Sequence, residues 1–449
     1  MSGTEGLFEN LPEQREGQRE EAGAGAPRLR EACREQLELQ VVDLESLLEA
    51  AHPARAVWSF VEGLDLTELL GAIKAREGRP GHPPPDPKIM LTLWLYATIV
   101  GVGSARALAR MCQEHVAFRW ICGGVSMNYH TLAEFRVDHV EFLDRQLAQG
   151  VAALVSAGLV TLDRLAQDGV RVRAAAGATS FRRRARLEEL LAAAEARVAA
   201  LKGEVESDPA ASDRRVRAAR ERAARERQEG TAAALARMKK LEAERKRREK
   251  TNKEQTKKQK EPRASTTDAE ARVMKMADGG FRPAYNVQIA SDPASQVIVA
   301  VDIDTTGSDR GLIAPMLKQI EETYERAPKE YLVDGGFAKN EDIETAFAAG
   351  IAVFAPPVVN KHGTDPLAPR RDDGAGMLAY RQRMASDRGK TMYRLRCEAE
   401  CIHAQLRNRG LQRFLLRGRK KVRAVLLWFA LAHNLLRAIA LRHAEAQAA

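Results

Sequence analysis

Cysteine is scarce in this chain. Five residues (Cys33, Cys112, Cys122, Cys397 and Cys401) among 449 are too few and too irregularly spaced for a disulfide framework. They point to a reducing compartment and to buried thiols. A membrane-spanning run is also lacking. Residues 89–103 fall short of the roughly 20 that a span needs, and His433, Asn434 and Arg437 interrupt residues 422–441, so both stretches are expected as buried helices. The opening MSGTEGLFENLPEQREGQREE has neither the basic-then-apolar order of a signal peptide nor its cleavage site. Residues 1–37 are therefore expected as a disordered leader.

What is abundant is positive charge, and it is concentrated. The net charge is +10 with a pI near 9.4, which suggests a polyanionic partner. Residues 213–263 hold 20 basic against nine acidic side chains, more surplus positive charge than the whole chain carries. The rest of the protein is nearly neutral.

Hydrophobic spacing divides the chain. Residues 38–156 repeat apolar positions every three or four residues, as in VVDLESLLEAA and IMLTLWLYATIV, and read as an all-helical domain in which the prolines of HPPPDPK set a helix start. Within it, SARALARMCQEHVAFRWICGGVSMNYHTLAEFR suits a helix-turn-helix that contacts DNA. Residues 183–263 read as an inserted coiled-coil hairpin with a lysine-rich linker: Leu187, Leu191, Ala194, Val198, Leu201 and Val205 form a heptad seam. A solvated single helix is the alternative. Residues 157–182 and 264–449 flank this insertion and alternate strand and helix patterns, an α/β layer architecture. Around Asp168-Gly169 the pattern fits a hairpin or a strand entering the sheet.

The densest chemistry lies in TMYRLRCEAECIHAQLRNRG. On one continuous helix, Tyr393, Arg396, Glu400 and Arg407 fall at about 0°, 300°, 340° and 320°, whereas Glu398 lies at about 140°. An ion-paired surface face is one reading. A phosphodiester site, with arginine on phosphate and carboxylate on metal, is the other. Asp302 and Asp304 share a strand face that is expected to be solvent-facing, and Asp309 is expected to cap a helix. Zinc sites built from Cys112, His115, Cys122 and His130, or from Cys397, Cys401 and His403, match no standard spacing or converge poorly.

The spacing Tyr-x2-Arg-x3-Glu-x6-Arg resembles the Tyr-Arg-Glu-Lys signature of bacterial insertion-sequence DDE transposases, with Arg407 in place of lysine. LAQDGVRVRA and YLVDGGF resemble that family's two catalytic-aspartate strands, and GFRPAYNVQIA, FLLRGRKKVRA and LAHNLLR resemble its flanking text. The resemblance covers roughly 350 residues and thins in the leader and the insertion. It implies a ribonuclease-H-like core in which Asp168, Asp334 and Glu400 form the catalytic, metal-binding triad. Asp168 is preferred over Asp163 because it alone has the family's Asp-Gly context.

The implied cofactor is a pair of Mg²⁺ ions, with Mn²⁺ as substitute, which act roughly 3.5–4 Å apart across a scissile phosphate. Tyr393, Arg396 and Arg407 are the implied DNA contacts. The implied partners are double-stranded element ends and target DNA, with a homodimer as the active complex and a cytoplasmic, nucleoid-associated setting. The expected function is strand cleavage followed by 3′-OH strand transfer. A catalytically silent DNA-binding or assembly protein, and a nuclease without joining activity, are the alternatives.

Overall fold

The computed structural model describes residues 43–78, 82–207, 214–251, 261–357 and 365–448. The expected leader and the lysines of residues 252–260 lie outside that set. Seven helices open the described chain: α1 (Pro53–Glu62), α2 (Thr67–Ala72), α3 (Pro87–Ile99), α4 (Ala105–Glu114), α5 (Val116–Cys122), α6 (Tyr129–Asp138) and α7 (Val140–Ser156). Proline at the first position of α3 needs no hydrogen bond there, and Asp86 accepts from the Lys88 N–H at 2.7 Å. Helix α3 is buried from Pro87 through Thr98 except at Lys88, as its short apolar run predicted.

The sheet follows. Strand β1 (Arg164–Arg173) leads through β2 (Phe181–Arg182) into α8 (Arg184–Ser207) and α9 (Arg214–Thr251), and the chain returns by β3 (Ala264–Ser265), β4 (Arg272–Lys275), β5 (Phe281–Ser291) and β6 (Ile298–Asp304). Helix α10 (Ile313–Tyr324), strand β7 (Glu330–Val333), helix α11 (Asn340–Ala348) and strand β8 (Ala352–Phe354) complete the α/β alternation. The hydrogen-bonded order is β4-β5-β1-β7-β8, with β6 also on β5. Strand β5 runs antiparallel to β1 and β6, while β7 and β8 run parallel to β1. Reading β1, β5, β6, β7 and β8 as first to fifth, their spatial order is 3-2-1-4-5, the mixed sheet of a ribonuclease-H-like core.

Helices α8 and α9 lie antiparallel: Arg184 at the start of α8 donates from Nε to Glu242 late in α9 at 2.8 Å. Leu187, Ala194 and Leu201, seven residues apart, are buried on α8, and Ala234, Met238 and Leu241 on α9. Their exposed faces carry the charge, which keeps this part of the chain in water while one narrow stripe packs.

Helices α12 (Ala375–Ala385), α13 (Asp387–Arg394), α14 (Cys397–Asn408) and α15 (Arg419–Ala448) form the tail. Helix α15 is long and apolar enough to cross a membrane by length and composition, yet 67% of its apolar window is buried in the protein. Its packing partners are α3, α6, α7 and β6, so one core joins the helical layer to the sheet. Trp428 in α15 and Trp94 in α3 donate their indole N–H groups to Arg136 O and Leu132 O of α6, each at 2.9 Å.

The polar residues that interrupt the apolar run are each satisfied. His433 Nε2 lies 2.8 Å from Gln296 O, and Asn434 both accepts from Ile298 N at 2.8 Å and donates to Ile298 O at 2.7 Å. Arg437 donates to Ser295 O at 2.8 Å. The motif LAHNLLR is therefore a latch on the turn between β5 and β6. A buried polar group without such a partner would cost about 1–3 kcal/mol.

Candidate active site

Asp168 lies mid-strand in β1, so of the two readings of Asp168-Gly169, a hairpin or a strand entering the sheet, the strand holds. The parallel register pairs Gln167 of β1 with Val333 of β7, so the residue after each is an aspartate, Asp168 within β1 and Asp334 just past the end of β7. Asp168 and Asp334 stand side by side for that reason. Each orients its carboxylate through the following glycine: Gly169 N donates to Asp168 Oδ1 at 2.9 Å and Gly335 N to Asp334 Oδ1 at 2.7 Å.

The tail closes over them, but not as one continuous helix. Helix α13 stops at Arg394 and α14 starts at Cys397, with Leu395 and Arg396 in a tight turn. There Arg396 N bonds to Tyr393 O at 3.0 Å and Ala399 N to Arg396 O at 2.9 Å. The 100° register assumed from sequence is broken here, because these bonds close three residues apart rather than four. The Tyr-Arg-Glu grouping survives. Arg396 donates from Nε to Tyr393 Oη at 3.2 Å and from Nη2 to Glu400 Oε1 at 2.6 Å, and its Nη1 lies 3.7 Å from Asp168 Oδ1.

Arg396 is thus the electrostatic hub. Its side chain is 13% exposed; burial works against the charge, but Tyr393, Asp168 and Asp334 outweigh it and hold the guanidinium protonated. Burial, reinforced by Asp334 and Glu400, raises the Tyr393 hydroxyl above its ordinary range. For Asp168, burial is the largest effect and favours the neutral acid. His403, the Gly169 N–H and Arg396 together more than offset it, so the carboxyl sits below its usual value.

His403, weighed in the sequence only as a zinc ligand, has a place at this site that sequence reasoning missed. It is buried, its Nε2 lies 3.4 Å from Asp168 Oδ2, and neither ring nitrogen has a hydrogen-bond partner among the described residues. Only its position one turn beyond Glu400 could have signalled it. Glu400 is 60% exposed and turned to Arg396, and among the described residues no three metal-ligating side chains converge on one point.

Arg407, in the last turn of α14, is exposed and stands apart from this group. Glu398 accepts from Gln296 at 2.7 Å and lines a separate cleft with Asp163, Arg164 and Asp292. Asp163 is taken up by Arg326 and by Lys329 at 3.2 Å. Asp302 pairs with Arg419 at 2.9 Å and Arg423 at 3.6 Å, so it is tied to α15 rather than facing open solvent. Asp309 does not cap α10. Leu312 occupies the cap position without a side-chain bond, and the Asp309 carboxylate turns into the sheet.

Cysteine use also differs from expectation: Cys112 and Cys122 are buried, but Cys397 and Cys401 are exposed on α14. His115 instead caps α5, its Nδ1 accepting from Ala117 N at 3.2 Å, and His130 stacks on Tyr129.

Two family models match the chain. The family described as Transposase DDE domain matches residues 240–435, and the Transposase domain (DUF772) matches residues 42–138. The chain belongs to the insertion-sequence DDE transposases. No curated protein and no solved structure shows significant similarity to it. Asp334 and Glu400 of this DDE transposase fall inside the first match, whereas β1 with Asp168 lies between the two. The strand register is what joins Asp168 to the others.

Proposed function

We propose that this DDE transposase binds the ends of its element, hydrolyses a strand to free a 3′-OH, and joins that hydroxyl to target DNA at a site made by Asp168, Asp334 and Glu400. The observation that carries this reading is the β1–β7 register, which sets two carboxylates adjacent and opposite Arg396 and Glu400.

DDE transposases work with divalent metal ions. The donor set suits Mg²⁺: carboxylate oxygens are the hard ligands it prefers, Asp168 is held ionised, and Arg396 compensates negative charge that a cation would otherwise share. When bound, the ions supply activation of the attacking oxygen and stabilisation of the leaving oxygen. Asp168 and Asp334 would hold them from fixed strands. Glu400, on an exposed side chain, would exchange Arg396 for metal, freeing the guanidinium to meet a phosphate. Tyr393 would pack beside the cleaved nucleotide, and Arg407 would meet the backbone farther along α14.

The basic helix α9, its partner α8 and the α4–α6 region would supply further contacts to DNA or to a second copy of the transposase. Incubating a supercoiled plasmid bearing the element's own ends with the enzyme, in Mg²⁺ or in EDTA, tests the reading. Metal-dependent cleavage at the ends is expected. Joining of a pre-cut end to target DNA separates a transposase from a nuclease that only cuts.

A further inference from the structure

On the face of β1 opposite Asp168 lies a polar cluster that takes no direct part in the proposed reaction. Strand alternation sends Gln167, Gly169 and Arg171 to that face, where they pair with Ala290, Gln288 and Asn286 of β5. Asp309 reaches in from the loop between β6 and α10. Its Oδ1 accepts from Asn286 Nδ2 at 2.7 Å and Gln288 Nε2 at 3.0 Å, and its Oδ2 accepts from Arg171 Nη2 at 2.7 Å. The bonds continue sideways: Gln167 Nε2 donates to Gln288 Oε1 at 2.8 Å and to Leu312 O at 3.2 Å, and Tyr331 Oη of β7 donates to Gln167 Oε1 at 2.8 Å.

Two features set this cluster apart from ordinary core polarity. It joins β5, β1 and β7 in one line, and Gln167 directly precedes Asp168 while its register partner Val333 directly precedes Asp334. It also dictates a glycine. A Cβ on Gly169 would lie 2.5 Å from both Asp309 Oδ1 and Gln288 Nε2, a contact that real side chains do not make. The Asp-Gly pair is therefore two devices back to back, with the carboxylate on one face and, on the other, the space that admits Asp309.

We propose that Asp309 is a positioning residue for the carboxylate pair: through Gln288, Gln167 and Tyr331 it locks β1 against β7 and so fixes the spacing between Asp168 and Asp334. This rests on the metal-binding reading given above. Replacing the carboxylate by an amide leaves Arg171 without its counter-charge and sets a donor among donors, so the line of bonds must rearrange. A metal site feels such a shift because its ligands must meet an ion within a few tenths of an ångström.

The test is Mn²⁺ binding to the full-length chain without DNA, by titration calorimetry, for wild type, Asp309→Asn, Gly169→Ala and Asp168→Asn. Asp309→Asn and Gly169→Ala are expected to weaken Mn²⁺ binding about 10–100-fold, the range for lost outer-shell partners, while melting stays cooperative. Cleavage by both should recover in part at high Mn²⁺, which a misfolded protein would not do. Wild-type Mn²⁺ affinity in folded Asp309→Asn or Gly169→Ala, with Asp168→Asn impaired, overturns the positioning role and leaves the site reading intact. If Asp168→Asn also binds Mn²⁺ normally, the site reading fails and takes this proposal with it. Should Asp309→Asn not fold, Gly169→Ala decides alone. Failure of both to fold assigns the cluster to folding and overturns the proposal.

Discussion

The two faces of β1 handle polar groups in opposite ways. On one, Asp309 has three donors within 3.0 Å and its side chain is 13% exposed. On the other, Asp168 has a single donor within 3.0 Å, the Gly169 N–H, with a guanidinium at 3.7 Å and an imidazole at 3.4 Å, and that imidazole has no hydrogen bond among the described residues. Buried polar groups are normally satisfied. A saturated face behind an unsaturated one is what a site needs when its remaining partners are to come from ions and substrate: the frame holds its geometry, and the working face keeps free lone pairs.

The contrast is broken most severely by removing the working carboxylates. Asp168→Asn, Asp334→Asn and Glu400→Gln are each expected to lose more than the roughly 100-fold that marks an outer-shell loss, with end binding and melting temperature little changed. A plasmid cleavage assay beside a gel-shift assay checks this, and a variant that keeps full cleavage would leave the triad.

A smaller loss is expected from His403→Ala. Taking the imidazole from beside Asp168 should cost about 10-fold in cleavage, beyond the loss of melting temperature that truncating a buried ring brings. Unchanged cleavage with a lowered melting temperature would make His403 a packing residue instead.

At the buried latch of α15, the effect should appear in stability rather than in rate. His433 is fully buried, and burial lowers its pKa from 6.5 to about 4. Its Nε2 faces Gln296 O and its Nδ1 lies 3.4 Å from Arg409, so the native ring stays neutral. Between pH 6.5 and about 4 the unfolded chain takes up a proton that the native ring refuses, so stability falls as pH drops through that window, by about 3 kcal/mol in all. Chemical denaturation across that range should show the slope in wild type and a flatter one in His433→Gln.

The smallest effect is expected at Glu398, two residues from Glu400 but facing Gln296. Glu398→Gln should cleave at close to the wild-type rate. If it were as impaired as Glu400→Gln, the separate cleft containing Glu398 would belong to the reaction.

Much of this was legible in the text of the chain, because it depends on local rules. Period-3.6 runs, the prolines before α3 and the strand alternation after residue 281 specify elements without reference to neighbours. The Tyr393, Arg396 and Glu400 grouping likewise lies within eight residues, close enough to survive the break at Leu395. Partnership across long separations was not legible. Asp309 looked like a cap because a loop aspartate before a helix usually is one, and only the folded sheet brings Asn286, Gln288 and Arg171 to it. His403 looked idle because Asp168 is 235 positions away. The sequence by itself determined which segments are helix or strand, where charge accumulates, and which residue types can hold metal and phosphate. The tertiary structure alone decided which carboxylates meet, through a register of hydrogen bonds between β1 and β7, and which polar groups are satisfied, since burial and pairing exist only once distant strands have packed.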